Sequence, residues 1–121
     1  MTSACIPVLQ AAINDNANTN DDVNSSISPK LWLDKVTSRQ YDGRNLPIEM
    51  KNGATLGMSM TEKQGGSDVK ANTTIAIAEN SNSIGQGKIY RLIGHKWFTS
   101  APMSDGFLTL AKVVTNENNK N

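Results

Sequence analysis

One cysteine and one histidine in 121 residues leave little room for two kinds of chemistry. Cys5 alone cannot close an internal disulfide, so nothing in the chain asks for an oxidising compartment. With His95 as the single imidazole, a structural Cys/His zinc cluster is ruled out, and no metal site is expected. An excess of charge of one sign is also lacking. Twelve Lys and Arg against eleven Asp and Glu give a net charge of +1, which argues against holding nucleic acid or a membrane surface by bulk charge. No apolar run approaches the roughly 18–20 residues that span a bilayer. Met1 to Leu9 has no basic start of the kind a signal peptide needs, so a cytoplasmic location is the default expectation. The length suits one ordinary domain and is short for a two-domain enzyme.

What is present falls into two unequal parts, divided near Asn52. Ala4 to Ile13 is mostly apolar and reads as a helix turned toward a core, with Pro7 marking a kink or a start. Asn14 to Ser28 is Asn- and Ser-rich, buries little, and reads as a mobile loop. Ser28-Pro29 then combines an N-cap residue with a good first helical residue, predicting a short helix from Pro29 to about Arg39. After Asn52-Gly53 the period changes to two. Leu56, Met58 and Met60 alternate with polar or small residues, and Thr73 to Ala78, Lys88 to Ile93 and Phe107 to Val114 predict further strands. Gly94 permits a bend before Lys96 to Ser100. Asn80 to Gly87 is a polar loop, and the last six residues form a polar tail. Two short helices without partner helices, and an apolar last strand with nothing after it, both look like pieces of something larger.

Taken as residues alone, Gly65-Gly66-Ser67-Asp68 after a strand offers close backbone approach and N–H groups for an anion such as a phosphate. It matches neither the dinucleotide fingerprint nor the Walker loop, and a tight β turn is its simpler reading. His95 has no second His and no nucleophile partner, and reads as a strand-end residue bonded to backbone. Trp97 and Phe98 are core or interface aromatics, while Met58, Met60 and Met103 are packing residues. Glu62 and Asp68 could form a carboxylate pair, but nothing fixes their separation.

Two longer runs carry a resemblance. Gly57-Met58-Ser59-Met60-Thr61-Glu62-Lys63-Gln64-Gly65-Gly66-Ser67-Asp68-Val69, followed by Asn72-Thr73-Thr74, is similar to the flavin-binding segment of the acyl-CoA dehydrogenase family. Gly94-His95-Lys96-Trp97-Phe98-Thr99-Ser100 resembles that family's second flavin-contacting strand, 26 residues beyond Asp68. Lys63-Gln64, where the mainstream family has Pro-Gly, and Ala101 to Asp105 after the second run are closest to the alkylation-response branch. Met1 to Leu9 and Tyr41-Asp42 are similar to segments of the same branch.

The resemblance implies an α+β fragment: short N-terminal helices followed by an antiparallel, β-barrel-like middle domain. Residues 1–51 would be the end of a helical domain and residues 52–121 an incomplete middle domain, with the C-terminal helical bundle absent. It implies an FAD-dependent oxidoreductase acting on CH–CH bonds of acyl thioesters, an acyl-CoA-like substrate, and a homo-oligomer in the full-length protein. The flavin-contacting positions it gives are Met58, Met60, Thr61, Gly65, Gly66, Ser67, Phe98, Thr99 and Ser100. Thr61 would bond the flavin pyrimidine edge, and Gly65 to Ser67 would lie by phosphates and acyl-CoA. Phe98 would stand where the family has a Trp packed by the flavin, and Ser100 where it has a Thr reaching N5. The family's catalytic Glu belongs to the bundle, so no catalytic residue is assigned in this chain. The alternatives are an alkylation-response flavoprotein with a DNA-protective role, whose nucleic-acid surface would reside in the missing C-terminal part, and an inactive truncated fragment.

Overall fold

Pro7 decides how the first helix begins. In the computed structural model, which describes residues 2–15, 28–79, 84, 85 and 87–114, a 3₁₀ turn at Thr2–Cys5 leads into α1 (Ile6–Asp15). Pro7 sits in the first turn of α1, where a helix has N–H groups to spare, so it starts the helix instead of kinking it. The second helix, α2 (Pro29–Val36), opens on Pro29 as the sequence predicts. Ser28 takes the N-cap position in extended geometry, yet its hydroxyl makes no capping bond. Its carbonyl accepts the Trp32 N–H at 3.2 Å instead. The helix stops at Val36, short of Arg39, where the Thr37 hydroxyl donates back to the Leu33 carbonyl at 2.8 Å. Most of the expected loop 14–28, most of the loop 80–87 and the tail lie outside the described residues.

The strands are β1 (Leu56–Ser59), β2 (Ile75–Ala78), β3 (Tyr90–Ile93), β4 (Gly106–Thr109) and β5 (Lys112–Val114). The contacts divide the chain into two units. The first comprises Met1–Met58 and Ala101–Leu108, the second Ser59–Ser100 and Thr109–Asn121.

In the first unit, Cys5, Val36, Ile48, Ala54 and Leu56 form the buried core, with Ile6, Leu9, Leu31, Trp32, Leu33 and Leu108 packed on it. Burial of a Leu- or Val-sized side chain contributes about 1.5–3 kcal/mol, so so small a set makes a modest core. β1 and β4 pair as a two-stranded sheet, whose last residues, Ser59 and Thr109, fall in the second unit. Buried charge supplements the apolar contacts. Lys51 is 3% exposed and ion-paired with Asp105, whose other oxygen accepts the Thr55 N–H at 2.9 Å. Burial would raise the Asp105 pKa, but the bonds from Lys51 and Thr55 outweigh it and hold the carboxyl below its ordinary range.

In the second unit β2 is central, in the order β3-β2-β5. Ile75 faces Ile93 and Ala78 faces Tyr90 in the antiparallel β2–β3 pair. β5 runs parallel to β2, with Ile75 opposite Lys112 and Ile77 opposite Val114. The sheet is therefore mixed, which corrects the expectation of a wholly antiparallel arrangement, and the strands of the described residues form no closed barrel. The expected strand Phe107 to Val114 divides at Leu110–Ala111, because its halves pair with different strands, β1 and β2. Lys96 to Ser100 is irregular, with Phe98 at φ 54°, a left-handed conformation that side chains rarely adopt. What remains is a small α+β structure of short helices and small sheets.

Candidate functional site

Glu62 is the pivot of the second unit, and the sequence did not mark it as one. It is 2% exposed, and its carboxylate accepts six hydrogen bonds. One oxygen, Oε2, takes the Thr73 N–H at 2.6 Å, the Thr73 hydroxyl at 2.9 Å and Gln64 Nε2 at 2.6 Å. The other, Oε1, takes the Thr74 N–H at 3.0 Å, the Thr74 hydroxyl at 2.5 Å and Lys96 Nζ at 2.9 Å. Burial pushes the Glu62 pKa up. The bonds from the Thr73 N–H, the Thr74 hydroxyl, the Lys96 ammonium and the Thr74 N–H push it down further, far below the usual carboxylate range. A carboxylate this saturated stays ionised and has no lone pair free for a substrate proton. Asp68 is engaged elsewhere, accepting the Lys70 N–H at 3.1 Å to cap the 3₁₀ turn Val69–Ala71, so the two carboxylates make no acid/base pair.

The Gly-Gly turn is built by a narrow hairpin. Glu62 and Gly65 exchange backbone bonds of 3.4 and 3.1 Å around Lys63-Gln64, which places the turn three residues earlier than expected. A Cβ on Gly65 would lie 2.6 Å from the Asp68 carbonyl oxygen, so this glycine is required by the close approach of backbone. A Cβ on Gly66 would meet only Thr61 Cγ2, at 3.8 Å. Gly66 and Ser67 are exposed, and the Ser67 hydroxyl has no hydrogen bond among the described residues.

The structure brings the two runs together. The Trp97 N–H donates to the Thr61 carbonyl at 2.8 Å, and Lys96 Nζ donates to the Met60 carbonyl at 3.4 Å as well as to Glu62. Asn72 Nδ2 donates to the same Met60 carbonyl at 2.9 Å, and the Ser59 and Thr99 hydroxyls bond at 2.7 Å. Of the expected site residues, Met60, Thr61 and Thr99 are joined by these contacts, with Thr99 spending its hydroxyl on Ser59. The Thr61 hydroxyl, on a half-buried residue, and the exposed Ser100 hydroxyl make no bond among the described residues. Phe98 is 82% exposed and stands edge-on to Trp97, ring centroids 6.1 Å apart, so these aromatics are not core. Met58 is half-buried in β1, in the first unit, and these bonds do not reach it. His95 is exposed and its ring has no hydrogen bond among the described residues, so the expected backbone bond is not made.

A separate open pocket of about 710 Å³ lies in the first unit, between Trp32, the segment Tyr41–Ile48 and Ala101–Asp105. Its charges are paired internally. Arg44 holds Asp42 through two bonds of 2.7 and 2.8 Å, which with the Asn52 N–H keep the Asp42 carboxyl well below its ordinary range, and Lys51 holds Asp105. None of the expected site residues lines it. Among the described residues no group of three His, Cys, Asp or Glu could hold a metal, and no helix is long and apolar enough to cross a membrane.

Comparison with known proteins adds a family. Residues 57–121 match the family model described as acyl-CoA dehydrogenase, middle domain. The chain is 49% identical over 83 residues to a putative acyl-CoA dehydrogenase, AidB, of Escherichia coli K12, a match covering 69% of this chain and 14% of that protein. It is 44% identical over 66 residues to acyl-CoA dehydrogenase family member 11 of Caenorhabditis elegans, covering 54% of this chain and 10% of that protein. The matches thus span a small part of the length of either relative.

Proposed function

The chain belongs to the acyl-CoA dehydrogenase family, and from that premise we propose that it supplies part of the flavin site of an FAD-dependent oxidoreductase acting on CH–CH bonds of acyl-CoA-like thioesters. In this reading residues 52–121 are part of the middle domain, residues 1–51 the end of the helical domain, and the full-length protein a homo-oligomer. The observation that carries the proposal is the joining of the two runs, with the Thr61 hydroxyl, the Ser100 hydroxyl and the Phe98 ring left unspent beside the bonds that join them. Unspent hydroxyls and an exposed aromatic face suit a flat heteroaromatic ring with a polar edge.

FAD, when bound, supplies the electron-accepting chemistry, and the protein orients it and tunes its surroundings. The Thr61 hydroxyl donates to the pyrimidine edge, and Phe98 gives the ring an apolar wall. Ser100 offers a hydroxyl to the redox-active edge. The open space at Gly66 and the Ser67 hydroxyl receive phosphate or the acyl-CoA chain. No proton is moved by Glu62, whose lone pairs are spent on six donors. Met60 lines the approach, and Thr99 steadies its segment through Ser59.

Thr61→Val in the full-length protein tests this. Removing the donor leaves a buried acceptor on the ring unsatisfied, at a cost of about 1–3 kcal/mol. That is roughly a 5- to 150-fold rise in the FAD Kd by fluorimetric titration. Unchanged affinity with an unchanged flavin spectrum would remove Thr61 from the site.

A further inference from the structure

The Glu62–Lys96 ion pair is buried, its side chains 1% and 12% exposed, in a unit with few buried apolar residues. Taking two charges out of water gains little stability over a well-packed apolar pair, so stability alone is a weak reason for it. Position is a better one. The pair ties the hairpin Glu62–Gly65 to the open end of the β2–β3 pair, where Thr73–Thr74 leads into β2 and Lys96 follows β3. On one side of it, the Met60 carbonyl is held by Asn72 and Lys96. On the other, the Trp97 N–H holds the Thr61 carbonyl. The next residue, Phe98, sits in a left-handed conformation that persists only where its surroundings enforce it.

We propose that Glu62 and Lys96 are positioning residues, a clamp that fixes Thr61 and the Phe98–Ser100 turn relative to each other for the flavin. This rests on the reading that those residues face FAD. As a pair the clamp is electrically neutral, so it can stand beside a redox ring without biasing it. Breaking it from either side leaves an unpaired charge, of opposite sign in the two cases. Lys96→Met leaves a carboxylate still held by five donors, which disfavours the added negative charge of a reduced flavin. Glu62→Gln leaves an ammonium, which favours it.

The experiment uses the full-length protein with FAD and compares Lys96→Met, Glu62→Gln, Lys96→Arg and the exposed turn variant Lys63→Met. The clamp predicts an FAD Kd raised about tenfold or more in the first two variants, equivalent to at least about 1.4 kcal/mol. It also predicts a flavin midpoint potential lowered by Lys96→Met and raised by Glu62→Gln. Lys96→Arg restores both and Lys63→Met moves neither. Potentials shifted in the same direction by both clamp variants, or not at all, overturn the proposal, because loosened packing carries no sign. If Glu62→Gln does not fold, Lys96→Met lowering the potential and Lys96→Arg restoring it supports the clamp, and equality of the two overturns it. Thr61→Val weakening FAD while the clamp variants bind as wild type refutes the clamp alone. Wild-type binding in Thr61→Val and in every clamp variant refutes the flavin reading and the clamp with it.

Discussion

The adjacent glycines of the turn make opposite demands, and substituting each with alanine separates fold from function. At Gly65 the new Cβ would lie 2.6 Å from the Asp68 carbonyl oxygen, almost 1 Å inside ordinary contact. That oxygen cannot retreat freely, since it accepts the Ala71 N–H at 3.1 Å while the Asp68 side chain caps Lys70 at 3.1 Å. Either the Glu62–Gly65 bridge or the 3₁₀ turn must yield, so Gly65→Ala costs about 1–3 kcal/mol, the usual penalty of overpacking. Tm falls with it, by less per kcal/mol in the full-length protein than the roughly 4–8 °C of a small domain. At Gly66 the new Cβ meets one methyl at 3.8 Å, an ordinary contact. Gly66→Ala therefore leaves stability within about 0.5 kcal/mol, while it occupies the space proposed for phosphate or acyl-CoA. Thermal melts and FAD titration of both variants in the full-length protein are the assay. Equal stability losses, or a silent Gly65→Ala, would refute the reasoning about the turn.

Three further outcomes follow from the ion pairs and the open faces. Lys51→Met strands the Asp105 carboxylate in the first unit; breaking a buried pair costs about 3–5 kcal/mol, reduced here because Asp105 keeps a fifth of its side chain in water, and a denaturant midpoint within error of wild type would contradict it. The carboxyls of Glu62, Asp42 and Asp105 are all held below their unfolded values, so the stability they add is complete above the unfolded carboxylate pKa of about 4 and is lost as pH falls below it. Melts from pH 7 to pH 2 should show that loss, and Glu62→Gln should flatten it; stability that rises on acidification would reverse the sign. Residues 1–121 alone, mixed with FAD and acyl-CoA and an artificial acceptor, should not turn over, since the one buried Glu among the described residues is fully engaged; stoichiometric flavin with turnover would force a base into this chain.

Local signals were legible in the sequence where the physics is local. Pro29 began a helix because its fixed φ and missing N–H suit a first turn. The β-branched run around Ile75–Ala78 and the alternation around Tyr90–Ile93 gave two strands that do pair. Partner choice was not legible, because the parallel β2–β5 register joins residues about 37 apart and no local period encodes it. The role of Glu62 was hidden for the same reason: its donors come from Gln64, Thr73, Thr74 and Lys96, of which only Gln64 is a near neighbour. The signal available was Asn72-Thr73-Thr74, three polar residues opening an apolar strand, which turn inward to serve the Met60 carbonyl and the Glu62 carboxylate. Phe98 and Ser100 were placed as flavin contacts by resemblance alone; their exposure suits that role but follows from a left-handed turn the sequence does not announce.

The structure of the full-length protein with FAD tests the account most directly. The account predicts Thr61 Oγ1 and Ser100 Oγ each within about 2.6–3.2 Å of a polar atom of the flavin ring, the Phe98 ring against its face, and the Glu62–Lys96 pair intact behind them. A flavin bound away from both runs, with the Thr61 and Ser100 hydroxyls still unpartnered, would contradict it.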